Sequence, residues 1–293
     1  MKRFAFFFLL LFSACTQKHT DEKIVTVTIE PQRYFAEKIA GDKYKVNSMV
    51  AAGLNPENYD PTPQQMVNLG KSQAYFRIGQ IGFEQAWMDD IVQNNPDLKV
   101  FDLSKGFDLI SSEEEHGHDH AEGESHDHHH GGMDPHIWSS VRGAKAVAKN
   151  TLDAFVSLDP EHTDYYTENY RELLKEIEQT ETLLHEKLDT LQDRTFIIYH
   201  PALTYLADEF QLTQLCIEMD GKEPSPAILK TLVETARDKN AGVVFIQQEF
   251  DQKNAELIAK ETGSRLVRIN PLSYDWNKEM ITIANALAHG KAD

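Results

Sequence analysis

The sequence predicts an α/β protein of two lobes, each with a largely parallel sheet, joined by one long helix. Three observations carry this. Short β-branched or apolar runs alternate with helix-period patterns over short connections in both halves of the chain. A polar tract at 111–133, made almost wholly of Glu, His, Asp and Gly, interrupts the first half. After Pro160, about 30 residues run without Gly or Pro, with apolar residues mostly three or four apart, enough for a helix of roughly 45 Å.

Taken in order, the run 24–29 (Ile-Val-Thr-Val-Thr-Ile) reads as a strand, and Pro31 opens a helix that ends at Gly41. A second strand spans 44–51. The loop 53–61, rich in Pro and Asn, leads to Thr62 as N-cap, with Pro63 at the first helical position and helix to about Ser72. Strand 74–78, a helix from about Glu84 and a short strand near Val100 complete the first lobe, 24–158. The insertion 111–133 lacks the apolar surface needed to offset ordering entropy and is expected to be disordered. Ser139 caps a helix to about Leu158.

Asp159-Pro160-Glu161 is a cap, a first-turn proline and an early acid, and so starts the long helix, 159–192. Its apolar stripe runs from Tyr166 to Leu191 but is broken at Thr180 and Glu181. A helical hairpin inside one core is the alternative to a bridge between lobes. The second lobe, 193–293, follows with strand 196–199, a helix opened by His200-Pro201, helix 227–238, strand 242–246, helix 254–261, strand 265–269 and a final helix.

Composition narrows the function. Of 293 residues, 41% are hydrophobic and 26% charged, an ordinary globular balance. The net charge of −18 argues against a nucleic-acid partner, since phosphates would be repelled. Thirteen histidines, seven of them between His116 and His130, point to cations. Lys2 and Arg3, the apolar run 4–12, then Ser13 and Ala14 before Cys15 form an export signal, 1–14, too short to span a bilayer. Small residues before a Cys suit lipoprotein cleavage, with Cys15 acylated and 15–23 serving as a linker. Cys216 is then left without a disulfide partner. Leu215 and Ile217 beside it suggest a buried strand thiol rather than a metal ligand.

Several residues could carry the chemistry. His200 stands where an apolar strand stops, the edge at which open α/β sheets bind ligands, though a His capping a turn would look the same. His136, in Asp134-Pro135-His136-Ile137-Trp138, has Asp134 or a backbone carbonyl available to orient its second nitrogen. Glu57 sits in a loop that follows a strand. Glu249 and Asp275 each follow a C-terminal strand and can line a cleft or cap a helix. His116, His118, His120, His126, His128, His129 and His130 offer flexible, low-affinity metal capture beside carboxylates.

At these residues the chain resembles a family, the substrate-binding lipoproteins of zinc and manganese ABC importers of the ZnuA/TroA type. The likeness covers nearly the whole mature chain. It rests on Pro56-Glu57-Asn58-Tyr59-Asp60-Pro61, Asp134-Pro135-His136-Ile137-Trp138, Tyr199-His200-Pro201-Ala202, Gly221-Lys222-Glu223-Pro224-Ser225-Pro226 and Lys260-Glu261-Thr262-Gly263, with the His-rich insertion before the second motif. The resemblance implies two α/β lobes on a long rigid helix and one metal ion between them. His136 and His200 fall on family ligand positions. Glu57 stands where the family normally has His, which leaves Mn²⁺ or Fe²⁺ open beside Zn²⁺. Asp275 lies near a late carboxylate of manganese-type members. Gln247-Gln248-Glu249-Phe250 stands where the family commonly reads Glu-Pro-Gln-Phe.

The expected protein is therefore an exported metal receptor and not an enzyme, a monomer anchored to the membrane through Cys15 and facing the periplasm or exterior. It would bind most favourably Zn²⁺ through Glu57, His136 and His200, with Asp275 or water completing the shell. A separate permease and ATPase would do the transport, as no phosphate-binding P-loop occurs here. Protonation of the ligating imidazoles would weaken binding in acid. A metallohydrolase and a metal-stabilised surface adhesin are the rival readings. The first lacks a helical His-Glu-x-x-His motif.

Overall fold

The structure, a computed structural model, describes residues 22–112, 132–218 and 224–290. The first lobe is built on β1 (Ile24–Val27), β2 (Lys45–Ser48), β3 (Ala74–Arg77) and β4 (Lys99–Asp102), all parallel in the order β2-β1-β3-β4. Helices α1 (Glu30–Ala40), α2 (Pro63–Leu69) and α3 (Gly82–Asn94) make its connections. Two single turns, Ile137–Ser139 and Pro160–His162, precede α4 (Val141–Leu158) and α5 (Thr163–Leu188). The second lobe repeats the plan with β5 (Thr195–Ile198), β6 (Thr213–Cys216), β7 (Val243–Gln247) and β8 (Arg265–Ile269), parallel in the order β6-β5-β7-β8. Its helices are α6 (Thr204–Glu209), α7 (Pro226–Asp238), α8 (Lys253–Thr262) and α9 (Trp276–Ala288).

In each sheet the first strand lies between the second and third, so the winding reverses there. The crevice beyond the carboxyl ends of β5 and β7 is such a reversal point, where parallel sheets hold ligands. The strands are short, and the inner ones, β1, β3, β5 and β7, are largely buried on both faces, as parallel sheets between helices must be. In β5, Phe196 and Ile198 enter the main core while Ile197 faces a smaller cluster under α7 and α8, the two-residue alternation of a strand.

The main core does not stop at the lobe boundary. Val25 and Phe76 of the first lobe, Tyr166 and Ile177 of α5, and Phe245 and Trp276 of the second belong to one contiguous cluster. Polar ties reinforce it. Tyr34 of α1 donates to Glu176 of α5 at 2.8 Å, and Asn277 of α9 donates to the Tyr34 hydroxyl at 2.9 Å. Glu209, the last residue of α6, accepts from the Val141 amide at 2.9 Å and so caps α4 from the other lobe.

The long helix is shorter than the 159–192 expected. A 3₁₀ turn takes Pro160–His162, and α5 proper has 26 residues, about 39 Å. The break in its stripe proves harmless: Thr180 is buried and satisfies its hydroxyl on the Glu176 carbonyl one turn back. Strands β1 and β2 are trimmed relative to 24–29 and 44–51; past the end of β1 the Thr28 and Ile29 amides donate to Gln32 Oε1 of the following helix. His200-Pro201 does not open a helix directly; α6 begins at Thr204. At the edges of the expected insertion, Ser111 and Met133 pair, and the Ser112 amide donates to the Gly132 carbonyl. Residues 113–131, with their seven histidines, and the signal segment with Cys15 lie outside the described residues. Among the described residues no helix is long and apolar enough to cross a membrane.

Candidate metal centre

Three of the four expected cleft residues come together. One ligand-type atom each of Glu57, His136 and His200 lies within 4.8 Å of the others, in a narrow pocket between the lobes. Their segments are far apart in sequence, so each is held by its own local device.

Glu57 is set by its loop. Its amide donates to Asn55 Oδ1 at 2.9 Å, an Asx turn, and the Pro56 carbonyl accepts from the Phe83 amide. The Gly82 amide, at the first turn of α3, donates to Glu57 Oε2 at 2.9 Å. Glu57 Oε1 is shielded from solvent with no hydrogen-bond partner. Position 82 has to be glycine for this approach, since a Cβ there would stand 2.3 Å from the Glu57 carbonyl oxygen. Downstream, Thr62 caps α2 and Gln65 donates to the Met49 carbonyl, tying the loop back to β2.

His136 ends an extended segment just before a 3₁₀ turn. Asp134 Oδ1 accepts from the His136 amide at 2.7 Å and faces its Nδ1 at 2.9 Å. The second lobe holds Asp134 in turn: Thr204 donates to Oδ2 at 2.6 Å and Tyr205 to the Asp134 carbonyl at 2.7 Å. Burial alone would raise the Asp134 carboxyl, but the neighbouring His136 and these hydrogen bonds outweigh it and hold it below its usual range.

His200 lies just past β5. The Gln247 side chain clamps its backbone at both ends, accepting from the His200 amide and donating to its carbonyl at 2.6 Å. A carboxylate at 247 could not donate, which gives a physical role to the departure at this position. His200 Nδ1 meets Glu218 Oε1 at 3.2 Å, and the Phe250 ring stacks on the imidazole with centroids 5.3 Å apart. Glu218 was not singled out from the sequence. The signal is the register: Ile198 pairs with Cys216, which places His200 beside Glu218 two residues further along parallel strands.

With each Nδ1 turned to a carboxylate, the two Nε2 atoms face each other at 3.3 Å. When both protons sit on Nδ1 the two nitrogens present lone pairs to one another, an arrangement that a cation between them relieves. Two Zn–N bonds of about 2.05 Å at a tetrahedral angle would separate the nitrogens by about 3.3 Å. The donor set, its spacing and its oriented imidazoles thus fit a divalent transition metal.

Asp275 is not part of this group. It is exposed at the N-cap position of α9, and the residues of that loop that reach the pocket are Pro271 and Leu272. Glu249, the alternative from the same region, does line the pocket, though its oxygens stand outside the group gathered within 4.8 Å. Cys216 does end a strand, but it is half-buried rather than buried and lies outside the cluster.

Two parallel-sheet lobes, bridged by a helix and sharing an imidazole–carboxylate cleft, define a metal-binding substrate-binding protein. The chain belongs to the ZnuA family, described as zinc-uptake complex component A, periplasmic, which it matches over residues 25–289. It is 29% identical over 275 residues to the high-affinity zinc uptake system protein ZnuA of Bacillus subtilis, covering 90% of this chain and 85% of that one. A crystal structure of ZnuA superposes with a TM-score of 0.83 at 34% identity, covering 93% of this chain and all of the other. A zinc-bound ZnuA lacking residues 138–173 of its own chain gives 0.82 at 33% identity, covering 93% and 99%.

Proposed function

We propose that this chain is the extracytoplasmic receptor of an ABC importer, holding one divalent metal ion through Glu57, His136 and His200 and handing it to a membrane permease driven by a separate ATPase. The observation that carries this is the pair of Nε2 atoms at 3.3 Å, each imidazole oriented by its own carboxylate, with the shielded Glu57 Oε1 beside them. Zn²⁺ is the cargo that two imidazoles favour, and the harder oxygen of Glu57 widens acceptance toward Mn²⁺. Zinc uptake by the relatives supports the same choice. Cys15, after its short apolar segment, anchors the exported chain by acylation. The monomer is the functional unit, because both lobes of one chain complete the site. The seven histidines of the 113–131 tract collect metal at low affinity.

Competitive titration of Zn²⁺ and Mn²⁺ into the mature chain, with a chelator buffering free metal below the reach of the His-rich tract, tests the reading. One tight site per chain is expected, weakened at least 100-fold by His200→Ala. A tight site that survives His200→Ala would overturn the assignment of the cleft.

A further inference from the structure

The cleft contains a second carboxylate whose position is hard to explain without a cation. Glu249 follows β7 and lines the same pocket as the three donor residues. Both of its oxygens are shielded from solvent, and neither has a hydrogen-bond partner. A carboxylate taken out of water with no donor is costly, and an isolated charge there costs several kcal/mol even after relaxation. Such a group persists where a proton or a cation satisfies it. Trp138, Phe250, Pro271 and Leu272 supply apolar wall around the pocket, with Phe250 stacked on His200.

Coordination number points the same way. Three protein ligands leave one position of a tetrahedral shell open, as in sites that keep a water, whereas four close it. Glu249 is the carboxylate of the second lobe that already stands in the pocket, whereas Asp275 is exposed outside it.

The geometry points to Glu249 as the fourth metal ligand of this chain, reaching the ion by side-chain rotation and closing a shell of two imidazoles and two carboxylates. This rests on the receptor reading above. It gives the second lobe two ligands, His200 and Glu249, from the adjacent strands β5 and β7. It also moves the late carboxylate from the loop after β8, where the sequence suggested it, to the loop after β7.

The test uses the mature chain with the same chelator-buffered titration, and one equivalent of Co²⁺ as a spectroscopic stand-in for Zn²⁺. Glu249→Gln should bind Zn²⁺ at least 10-fold more weakly, with Mn²⁺ affected more than Zn²⁺ because an oxygen donor is lost. The visible Co²⁺ spectrum should change with it, since a water or an open position replaces a protein oxygen. Unchanged affinity would overturn the proposal. Weaker binding with an unchanged Co²⁺ spectrum would overturn it too, because Glu249 would then act only as a distant charge. A crystal structure of the zinc-loaded wild-type chain decides independently of how the variant folds. A Glu249 oxygen at about 2.0–2.2 Å from zinc is expected, and a carboxylate left in the pocket wall refutes ligation. His200→Ala separates the two levels. If it abolishes tight binding while Glu249→Gln does not, only the fourth ligand falls; if it leaves binding intact, the receptor reading falls with it.

Discussion

Trp138 and Trp276 staple the two lobes by hydrogen bonds that run in opposite directions. The Trp276 indole donates to the Trp138 carbonyl at 2.6 Å, and the Trp138 indole donates to the Pro271 carbonyl at 2.9 Å. Both rings are buried, so neither N–H has water as an alternative partner. The Trp138 ring also packs against His136, with centroids 5.2 Å apart, and the staple therefore sits directly behind one of the proposed ligand side chains.

Replacing Trp276 by Phe removes one of these donors, orphans the Trp138 carbonyl and leaves a void. A loss of about 2 kcal/mol in unfolding free energy is expected, or about 5 °C in melting temperature for a chain of this size. Calorimetry of the variant measures it. An unchanged midpoint would mean that the staple contributes no stability.

Gly82→Ala should act on the site through the backbone alone. The new methyl would collide with the Glu57 carbonyl, which is part of a turn and cannot rotate away. The turn must shift by several tenths of an ångström, at a cost of about 1–3 kcal/mol. Metal affinity should fall about 10-fold because Glu57 Oε1 moves with it. Titration beside a denaturation curve separates the two effects.

Asp134→Asn keeps the shape of the side chain but changes what it offers to His136 Nδ1. An amide in place of the carboxylate no longer favours the tautomer that turns Nε2 to the ion. Zinc affinity should fall about 10- to 100-fold with little change in fold, read by the same competition titration. Equal affinity would show that the imidazole is oriented by packing alone.

Glu84 gives a stability signature far from the metal. It is buried beneath the first lobe, where it accepts from the Ile78 and Gly79 amides and from Thr28. Burial pushes its carboxyl up to about 7, against the pull of those hydrogen bonds. Its folded value thus lies above its unfolded one, and the native state binds the extra proton between about pH 4.5 and about 7. Its contribution is fully present below that window and is lost as pH rises through it, a decline of about 3 kcal/mol at most. Glu84→Gln, a neutral mimic of the protonated acid, should remove this slope, so that urea midpoints of wild type and variant lie close together at pH 5 and diverge at pH 8 as the wild type loses stability. Parallel pH profiles would refute it.

The sequence made much of this architecture readable. Alternation of short strands with helices identified the two parallel lobes, and Thr62 with Pro63 marked the start of α2, which Thr62 caps through the Gln65 amide. His136, His200 and Glu57 could be singled out because each lies where a chain segment leaves regular structure at the same edge. What could not be read was reach. Asp275 and Glu249 both follow C-terminal strands, and only the packing of Phe250 and Pro271 decides that one lines the pocket and the other faces solvent. Glu218 was hidden for a related reason: its role depends on which strands are neighbours, and the pairing of β5 with β6 is a tertiary fact.

The contiguous core that runs from Val25 through α5 to Trp276 has a mechanical consequence. Receptors that swing like a clamshell need a seam, a dry surface that can be parted and rejoined. Here parting the lobes would wet aromatic side chains and break the Glu209 cap on α4 together with the tryptophan staple. The inexpensive deformations are those of the loop around Glu57 and of side chains at the mouth of the cleft. The protein is built as a latch rather than a jaw: cargo can displace a few atoms at the rim while the outline of the molecule hardly changes.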